Sequence, residues 1–194
     1  DIINKIAFKS VQKNSLITKD CFKNKVMAII IARCNSKRLK NKALALINNE
    51  PSIVHLFKRI IISLEKKYVN KIVLCTTTNS DDDKLHELAN KFKIETFRGS
   101  EKNIIERINL PINKYPEYNT VIRLTADDIL IDPFYLKKTI VFHFKNNLNY
   151  SSCNELPDGT NVEVFDASVL RFLNNTIKYK NKSEYLTTFI LDNK

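Results

Sequence analysis

Apolar and polar positions follow two different spacings along this chain. Three short, mostly apolar segments occupy residues 27–32, 71–76 and 119–124. Segments of this length and composition are typical of strands buried on both faces of a parallel sheet. Shorter strands are predicted at residues 94–97, 149–153 and 161–165, the last with Val162 and Val164 facing inward against Glu163.

Apolar residues at helical spacing separate these strands. We expect Ser52 to cap a first helix, and the carboxylates of residues 81–83 to open a second one. Pro111 should end a third helix because proline lacks the backbone N–H, and Asp132 with Pro133 should begin a fourth. Final helices are predicted at residues 168–173 and 184–191. The alternation predicts an α/β fold, a three-layer sandwich on a mostly parallel sheet.

Composition removes several classes of nucleotide-binding protein. The chain has 194 residues, of which 43% are hydrophobic, and only two are glycines. A GxGxxG turn needs three glycines and a GxxxxGK[ST] loop needs two close together, but Gly99 and Gly159 lie far apart. The classical dinucleotide-binding and phosphate-binding loops are therefore excluded.

The chain is strongly basic, with 32 Lys and Arg against 21 Asp and Glu and a net charge of +11. This balance favours an anionic partner, although biased codon usage would produce the same excess of lysine. We expect no nucleic-acid partner, because aromatic residues do not cluster with basic ones as in single-strand binders. A basic nucleic-acid-binding domain is kept as the more remote alternative function.

The four cysteines have neither CxxC spacing nor a nearby histidine, so neither a zinc site nor a disulfide framework is indicated. Reduced thiols fit a cytoplasmic protein best. No apolar run approaches the length of a membrane span, so we expect no membrane partner.

A basic loop follows the first predicted strand. Arg33, Arg38 and Lys42 lie on it, with Ser36 between them. Guanidinium forks and a mobile ammonium could together neutralise a polyphosphate, and ligands bind at the carboxyl ends of parallel strands. The alternative is a solvated basic loop without a ligand.

A second loop, after the strand at residues 119–124, is acidic. Asp127 or Asp128 there could hold Mg²⁺, which takes oxygen ligands and usually only one or two carboxylates. Either aspartate could instead cap a turn, and capping of the next helix is the favoured role of Asp132.

Six motifs in order carry a family resemblance: ARCNSKRLKNKAL, CTTTNSDDDKLHELANKF, FRGSEKNIIERI, VIRLTADDILIDP, LPDGTNVEVF and SEYLTTFI. From about Met27 to Leu191 the chain resembles cytidylyltransferases of the spore coat polysaccharide biosynthesis protein F type, relatives of the acylneuraminate and 3-deoxy-manno-octulosonate cytidylyltransferases. The resemblance implies a nucleotide-diphosphosugar transferase (GT-A-like) fold. It also implies transfer of CMP from CTP to a small acidic sugar, nonulosonic or 3-deoxy, with release of pyrophosphate, for surface polysaccharide or glycan biosynthesis.

The resemblance assigns roles residue by residue. Arg38, Lys42 and Asp127 match catalytic positions, and Asp127 matches the ligand of Mg²⁺. It implies nucleotide contacts at Ala32, Arg33, Ser36, Thr76, Arg98, Gly99, Ser100 and Thr125. It implies sugar contacts at Asp158, Asn161 and Glu163. It names no general base.

The chain departs from the family pattern in three places. Lys40 and Asn41 replace the usual Pro-Gly of the basic loop, and asparagine tolerates the left-handed conformation better than most residues. Asn161 replaces an aspartate. The chain also stops soon after SEYLTTFI, where relatives continue with a segment that could form a dimer or complete the site. A homodimer and a catalytically inactive homologue serving as an interaction module therefore stay open.

The organisation predicted from these matches has two parts. Residues 26–194 form the cytidylyltransferase domain, short at its C-terminal end relative to the family. Residues 1–25 form an N-terminal extension. That extension weakly resembles the end of an antifreeze-like (SAF) module, and the alternative is a Lys-rich packing or disordered segment.

Overall fold

The computed structural model describes residues 24–36, 39–153, 156–157 and 159–176. The strands are β1 (Val26–Ile31), β2 (Leu46–Ile47), β3 (Glu50–Pro51), β4 (Lys71–Thr77), β5 (Glu95–Gly99), β6 (Thr120–Thr125), β7 (Tyr150–Ser152) and β8 (Glu163–Asp166). The helices are α1 (Ser52–Glu65), α2 (Asp83–Lys91), α3 (Ile104–Lys114), α4 (Pro133–Lys145) and α5 (Ala167–Thr176). Most of the N-terminal extension, the helix expected at residues 184–191, Arg38 and Asp158 lie outside these ranges.

Six strands form one sheet in the order β5-β4-β1-β6-β8-β7, while β2 and β3 pair separately. Strands β5, β4, β1 and β6 are parallel, whereas β8 runs antiparallel to β6 and β7 antiparallel to β8. The prediction of a mostly parallel α/β sheet is confirmed. Strand β1 lies between β4 and β6, so the loops after all three strands meet at one edge.

Two apolar cores flank the sheet because successive side chains of a strand point to opposite faces. Ala28 and Ile30 of β1 pack on the face covered by α1, α2 and α4. Met27 and Ile29 pack on the face covered by α3 and α5. All six residues of β1 are buried, as its continuous apolar sequence predicts. The chain is therefore the three-layer sandwich that we expected.

The prediction that Pro111 ends a helix is wrong. Pro111 lies inside α3, which continues to Lys114. A proline cannot donate to the carbonyl four residues earlier, here that of Arg107. The thiol of Cys75 in β4 donates to this carbonyl instead (Sγ to O, 3.6 Å). A neighbouring strand thus supplies the donor that the helix lacks.

The capping predictions have mixed outcomes. Ser52 does not cap α1: Pro51 occupies the cap position, and the Ser52 hydroxyl donates to the carbonyl of Lys42 (2.8 Å). Asp132 does cap α4, since its Oδ1 accepts from the N–H of Phe134 (2.7 Å). Ser52 instead ties the start of α1 to the end of the basic loop.

Candidate active site

The edge where β1, β4, β5 and β6 end carries most of the candidate residues. Because β1 is flanked by β4 on one side and β6 on the other, the connections after these strands leave in opposite directions. Such a divergence opens a crevice at the carboxyl ends of the strands, which is where α/β sheets bind ligands. The site is built from the loops that border this crevice.

The basic loop after β1 is closed on itself by backbone hydrogen bonds. The carbonyl of Cys34 accepts from the N–H groups of Ser36 (2.9 Å) and Asn41 (2.8 Å). Asn41 has φ 57° and ψ 22°, the left-handed conformation that glycine adopts most easily. The expectation that asparagine could replace glycine here is confirmed. A cavity of about 390 Å³ lies beside this turn.

A buried carboxylate that the sequence analysis did not single out anchors this loop. Asp82 is 1% exposed, and its Oδ1 accepts from the N–H of Cys34 (2.7 Å). Its Oδ2 accepts from the hydroxyl of Thr76 (2.9 Å) and from the N–H (3.0 Å) and hydroxyl of Thr77. Burial by itself would raise the pKa of Asp82, but these hydrogen bonds outweigh it and lower the pKa. Asp82 therefore joins the basic loop to the end of β4 as a carboxylate.

Lys42 and Asp127 meet across the crevice. The ammonium of Lys42 donates to Oδ2 of Asp127, and the two side chains are 36% and 46% exposed. Oδ1 of Asp127 accepts from the hydroxyl of Thr125 (2.7 Å). Burial would raise the pKa of Asp127, but the hydrogen bonds from Lys42 and Thr125 lower it overall. The structure thus brings together the cation and the carboxylate that the motifs singled out.

Asp128 has the turn-capping role left open above. Its Oδ2 accepts from the N–H (2.8 Å) and the hydroxyl (3.0 Å) of Thr125. Burial raises the pKa of Asp128, against these hydrogen bonds. Of the two adjacent aspartates, Asp127 is the one that pairs with Lys42 of the basic loop.

The residues around Gly99 form a rigid loop at the end of β5. Arg98 donates to the carbonyls of Thr77 and Asn79 (both 2.8 Å) and pairs with Asp83 (2.6 Å). A Cβ at Gly99 would lie 2.9 Å from Leu110 Cδ1. Gly99 is therefore required at this position, because the close approach of Leu110 leaves no room for a side chain.

The loops after β1 and β5 also contact each other. Nη1 of Arg33 donates to the carbonyl of Glu101 (3.5 Å). Ser100 Oγ accepts from the N–H of Asn103 (3.1 Å), and Thr76 is fully buried with its hydroxyl on Asp82. The described residues predicted to contact the nucleotide therefore lie at or just after the ends of β1, β4, β5 and β6, where Arg98, Ser100 and Thr76 already serve the loop structure.

A polar pocket of about 300 Å³ continues the crevice past β6. Its lining consists of Arg123, Thr125, Asp128, Tyr150, Ser152, Asn161 and Glu163. Arg123 and Glu163 form an ion pair, and the hydroxyl of Tyr150 donates to Glu163 (3.1 Å). Within the described ranges, Oδ1 of Asn161 is buried without a hydrogen-bond partner. The two described residues predicted to contact sugar thus share one pocket with Thr125 and Arg123.

Gly159 lies against the loop that carries Asp127. Its φ is +81°, a conformation that side chains disfavour, and its absent Cβ would lie 3.5 Å from the carbonyl of Asp127. The carbonyl of Gly159 accepts from the N–H of Leu130 (3.2 Å). Gly159 therefore packs the segment after β7 against the loop that carries Asp127.

The donor set is compatible with a magnesium ion held jointly with phosphates. Among the described residues, no group of three His, Cys, Asp or Glu side chains could hold a metal. Mg²⁺ is commonly bound by one or two carboxylates together with substrate phosphates. Asp127 is exposed to the crevice and has a lowered pKa, so one ionised carboxylate is available there.

The fold and this site together define a class of protein, an α/β nucleotidyltransferase with a basic loop facing a carboxylate across the ends of its central strands. Residues 27–192 match the family model described as Cytidylyltransferase. The chain therefore belongs to the cytidylyltransferase family, whose members are CTP-using nucleotidyltransferases.

Two curated relatives are similar to this chain. An uncharacterized protein of Methanocaldococcus jannaschii is 31% identical over 169 residues, which cover 87% of this chain and 68% of that protein. The spore coat polysaccharide biosynthesis protein SpsF of Bacillus subtilis is 30% identical over 148 residues, covering 76% of this chain and 61% of that protein. The chain thus spans about two thirds of the length of these relatives.

Solved structures support the same fold. A cytidylyltransferase from Leptospira borgpetersenii superposes with a TM-score of 0.80 at 26% identity, covering 88% of this chain and 72% of that one. A CMP:2-keto-3-deoxy-manno-octonic acid synthetase in complex with CTP superposes with a TM-score of 0.66 at 17% identity, covering 88% and 86%. The expected nucleotidyltransferase fold is confirmed.

Proposed function

We propose that this protein transfers CMP from CTP to a sugar acid, nonulosonic or 3-deoxy, and releases pyrophosphate. The observation that carries the proposal is the meeting of Lys42 and Asp127 between the ends of β1 and β6. A cation from the basic loop and a carboxylate from the acidic loop face the same crevice there. The free thiols of Cys34 and Cys75 suit a cytoplasmic enzyme.

The basic loop supplies the groups that neutralise the triphosphate. Lys42 extends its ammonium into the crevice, where it pairs with Asp127, and Arg33 lies on the same loop. Hydrogen bonds from the N–H groups of Ser36 and Asn41 to the carbonyl of Cys34 hold the described ends of the loop, so Arg33 and Lys42 are positioned before the ligand arrives. Arg38 belongs to the same motif, and its role stays a sequence prediction. The N-terminal extension of residues 1–25 and the homodimer also stay predictions.

Asp127 is the residue that would hold Mg²⁺. When bound, the ion would neutralise negative charge on the phosphates of CTP. Thr125 donates to the other carboxylate oxygen of Asp127 and so fixes its orientation.

The polar pocket beside Asp127 is the place for the acceptor. A hydroxyl of the sugar attacks the α-phosphorus, a new oxygen–phosphorus bond forms, and the bond to the pyrophosphate breaks. The hydroxyl proton leaves to solvent, since no general base is assigned. Asn161 and Glu163 would orient the acceptor hydroxyls, and the transfer itself depends on positioning and charge neutralisation.

The acidic sugar and the role in polysaccharide or glycan synthesis rest on the relatives. SpsF is named for spore coat polysaccharide biosynthesis, and one structural neighbour is a synthetase for the CMP derivative of a keto-deoxy sugar acid. Arg123 in the pocket offers a guanidinium at the acceptor side, although Glu163 holds it in the free protein.

The test is pyrophosphate release by the full-length protein with CTP, Mg²⁺ and a panel of nonulosonic and 3-deoxy sugar acids. We expect turnover with CTP but not with ATP, and none after addition of a metal chelator. Asp127→Asn and Lys42→Met should each lower kcat/KM by about a hundredfold, because each removes charge stabilisation at the phosphates.

Lys91→Met is the matched control, since Lys91 is an exposed lysine in the last turn of α2. Equal effects of Lys42→Met and Lys91→Met would support the solvated-loop alternative. CTP binding without turnover on any sugar would support the inactive homologue. Salt-sensitive binding of an oligonucleotide in place of CTP would contradict the proposal.

A further inference from the structure

Arg107 in α3 is a fully buried arginine with incomplete hydrogen bonding. Its side chain is 0% exposed. Nη1 donates to the carbonyl of Ser100 (2.8 Å), but Nε and Nη2 are buried without partners within the described ranges. Nε and Nη2 form one edge of the guanidinium plane, the edge that binds oxyanions with two parallel hydrogen bonds. A protein that buries a charge normally pairs it.

The acidic groups near Arg107 are engaged elsewhere. Both oxygens of Asp82 accept from backbone and threonine donors, and Oε2 of Glu101 accepts from Asn79 (3.0 Å). In the part of the chain that the structure describes, no carboxylate forms an ion pair with Arg107. Burial lowers the pKa of Arg107, and like-charge repulsion from Arg33 lowers it further. Cys75, Asp82 and Glu101 oppose these effects through space, without an ion pair to the guanidinium.

The position of Arg107 links this charge to the crevice. Arg107 and Arg33 donate to successive carbonyls of the same loop, those of Ser100 and Glu101. Gly99 gives Arg107 its place, because a Cβ there would lie 3.4 Å from Arg107 Cγ. The guanidinium therefore lies directly beneath the loop after β5, one of the loops that border the crevice.

We propose that Arg107 is a buried positive charge held for the triphosphate of CTP, compensated only when the nucleotide occupies the crevice. The inference rests on the proposed function, because it takes the crevice as the CTP site. A charge in a low-dielectric position attracts the phosphates strongly and is little screened by salt. In the free protein the guanidinium stays a buried cation without an ion-pair partner among the described residues, which is unfavourable.

The test separates an electrostatic role from a structural one. Arg107→Met keeps a long apolar side chain and removes the charge, Arg107→Lys keeps the charge, and Lys91→Met removes an exposed charge as the control. Thermal unfolding followed by far-ultraviolet circular dichroism gives the stability of the free protein. Calorimetric titration with CTP and Mg²⁺ gives the affinity.

Two opposite changes are expected in Arg107→Met. The unfolding temperature without CTP stays equal to that of the wild type or rises, since replacing a buried ion by an apolar group is often neutral or stabilising. The dissociation constant for CTP rises about tenfold or more, as loss of a charged interaction predicts. Arg107→Lys retains most of the affinity, and Lys91→Met changes neither quantity.

The proposal would be overturned if Arg107→Met failed to fold or had a lower unfolding temperature, and Arg107→Lys also bound CTP no better than a charge-free variant such as Arg107→Gln. Unchanged CTP affinity in Arg107→Met would do the same. Wild-type protein that does not bind CTP would instead refute the proposed function. The two failures are therefore distinguishable.

Discussion

Replacement of Asp82 by asparagine is the sharpest test of how the site is assembled. The side chain keeps its size, but one carboxylate oxygen becomes an NH₂ group. Asp82 accepts from four donors, two of which are backbone N–H groups that cannot rotate away. Whichever way the amide turns, its NH₂ must face the N–H of either Cys34 or Thr77.

The magnitude follows from the less costly orientation. If the carbonyl oxygen keeps the contacts of Oδ2, the NH₂ faces the N–H of Cys34, which loses its acceptor. Loss of a hydrogen bond to a charged group, with a buried donor left unpaired, costs about 3 kcal/mol. For a chain of this size the unfolding temperature should fall by roughly 6–12 °C.

Acid should diminish this difference. The pKa of Asp82 is lowered in the folded protein, so its ionised form stabilises the fold fully above the ordinary pKa of the unfolded carboxyl. This stabilisation is lost as the pH falls through the folded-state pKa. Wild type and Asp82→Asn should therefore converge in stability below about pH 4.

Urea unfolding followed by circular dichroism is the assay, because the chain has no tryptophan. Asp81→Asn is the control, since Asp81 is an exposed neighbour in the same turn and should change stability by less than about 0.5 kcal/mol. A loss below about 1 kcal/mol in Asp82→Asn, or one independent of pH, would refute the reasoning.

Three further predictions concern the backbone and the thiols. Asn41→Gly should leave CTP binding intact while Asn41→Val weakens it in titrations, because a β-branched residue does not adopt φ 57° readily. Gly159→Ala should lower the free energy of unfolding by about 1 kcal/mol in urea, since its φ is +81°. Mapping of alkylated thiols by mass spectrometry should show Cys153 modified before Cys34 and Cys75, because burial raises the pKa of both to about 12. Equal effects at Asn41, an unchanged Gly159→Ala, or early labelling of Cys75 would each contradict the corresponding argument.

The strands and the layer order could be predicted from the sequence because they depend on local patterns. The run at residues 27–32 has apolar side chains at every position, and only a strand covered on both faces buries all of them. The end of α3 could not be predicted in this way. Whether Pro111 breaks the helix depends on a donor from β4, the thiol of Cys75, which lies 36 residues earlier.

The candidate site shows the same division. Lys42 and Asp127 could be found from motifs, since each lies on a loop that follows a predicted strand. Asp82 and Arg107 could not, because their importance comes from burial: the sequence shows an ordinary acidic helix start and an ordinary helical arginine. For Asp82, the signal in the sequence was the run of three aspartates after β4, because the N-terminus of a helix does not require three carboxylates.

The ion pair of Lys42 and Asp127 predicts that removal of the carboxylate changes metal-free CTP affinity and turnover in opposite directions. In the free protein Asp127 holds the ammonium that the phosphates need, so nucleotide binding without metal must break the pair. An exposed pair of this kind is worth at most about 1 kcal/mol, which corresponds to roughly fivefold in affinity. In the presence of chelator, Asp127→Asn should therefore bind metal-free CTP about two- to fivefold more tightly than the wild type, although it loses turnover. Lys42→Met should lose both CTP affinity and turnover. Weaker metal-free binding by Asp127→Asn would show that the carboxylate orders Lys42 for the phosphates and does not compete with them.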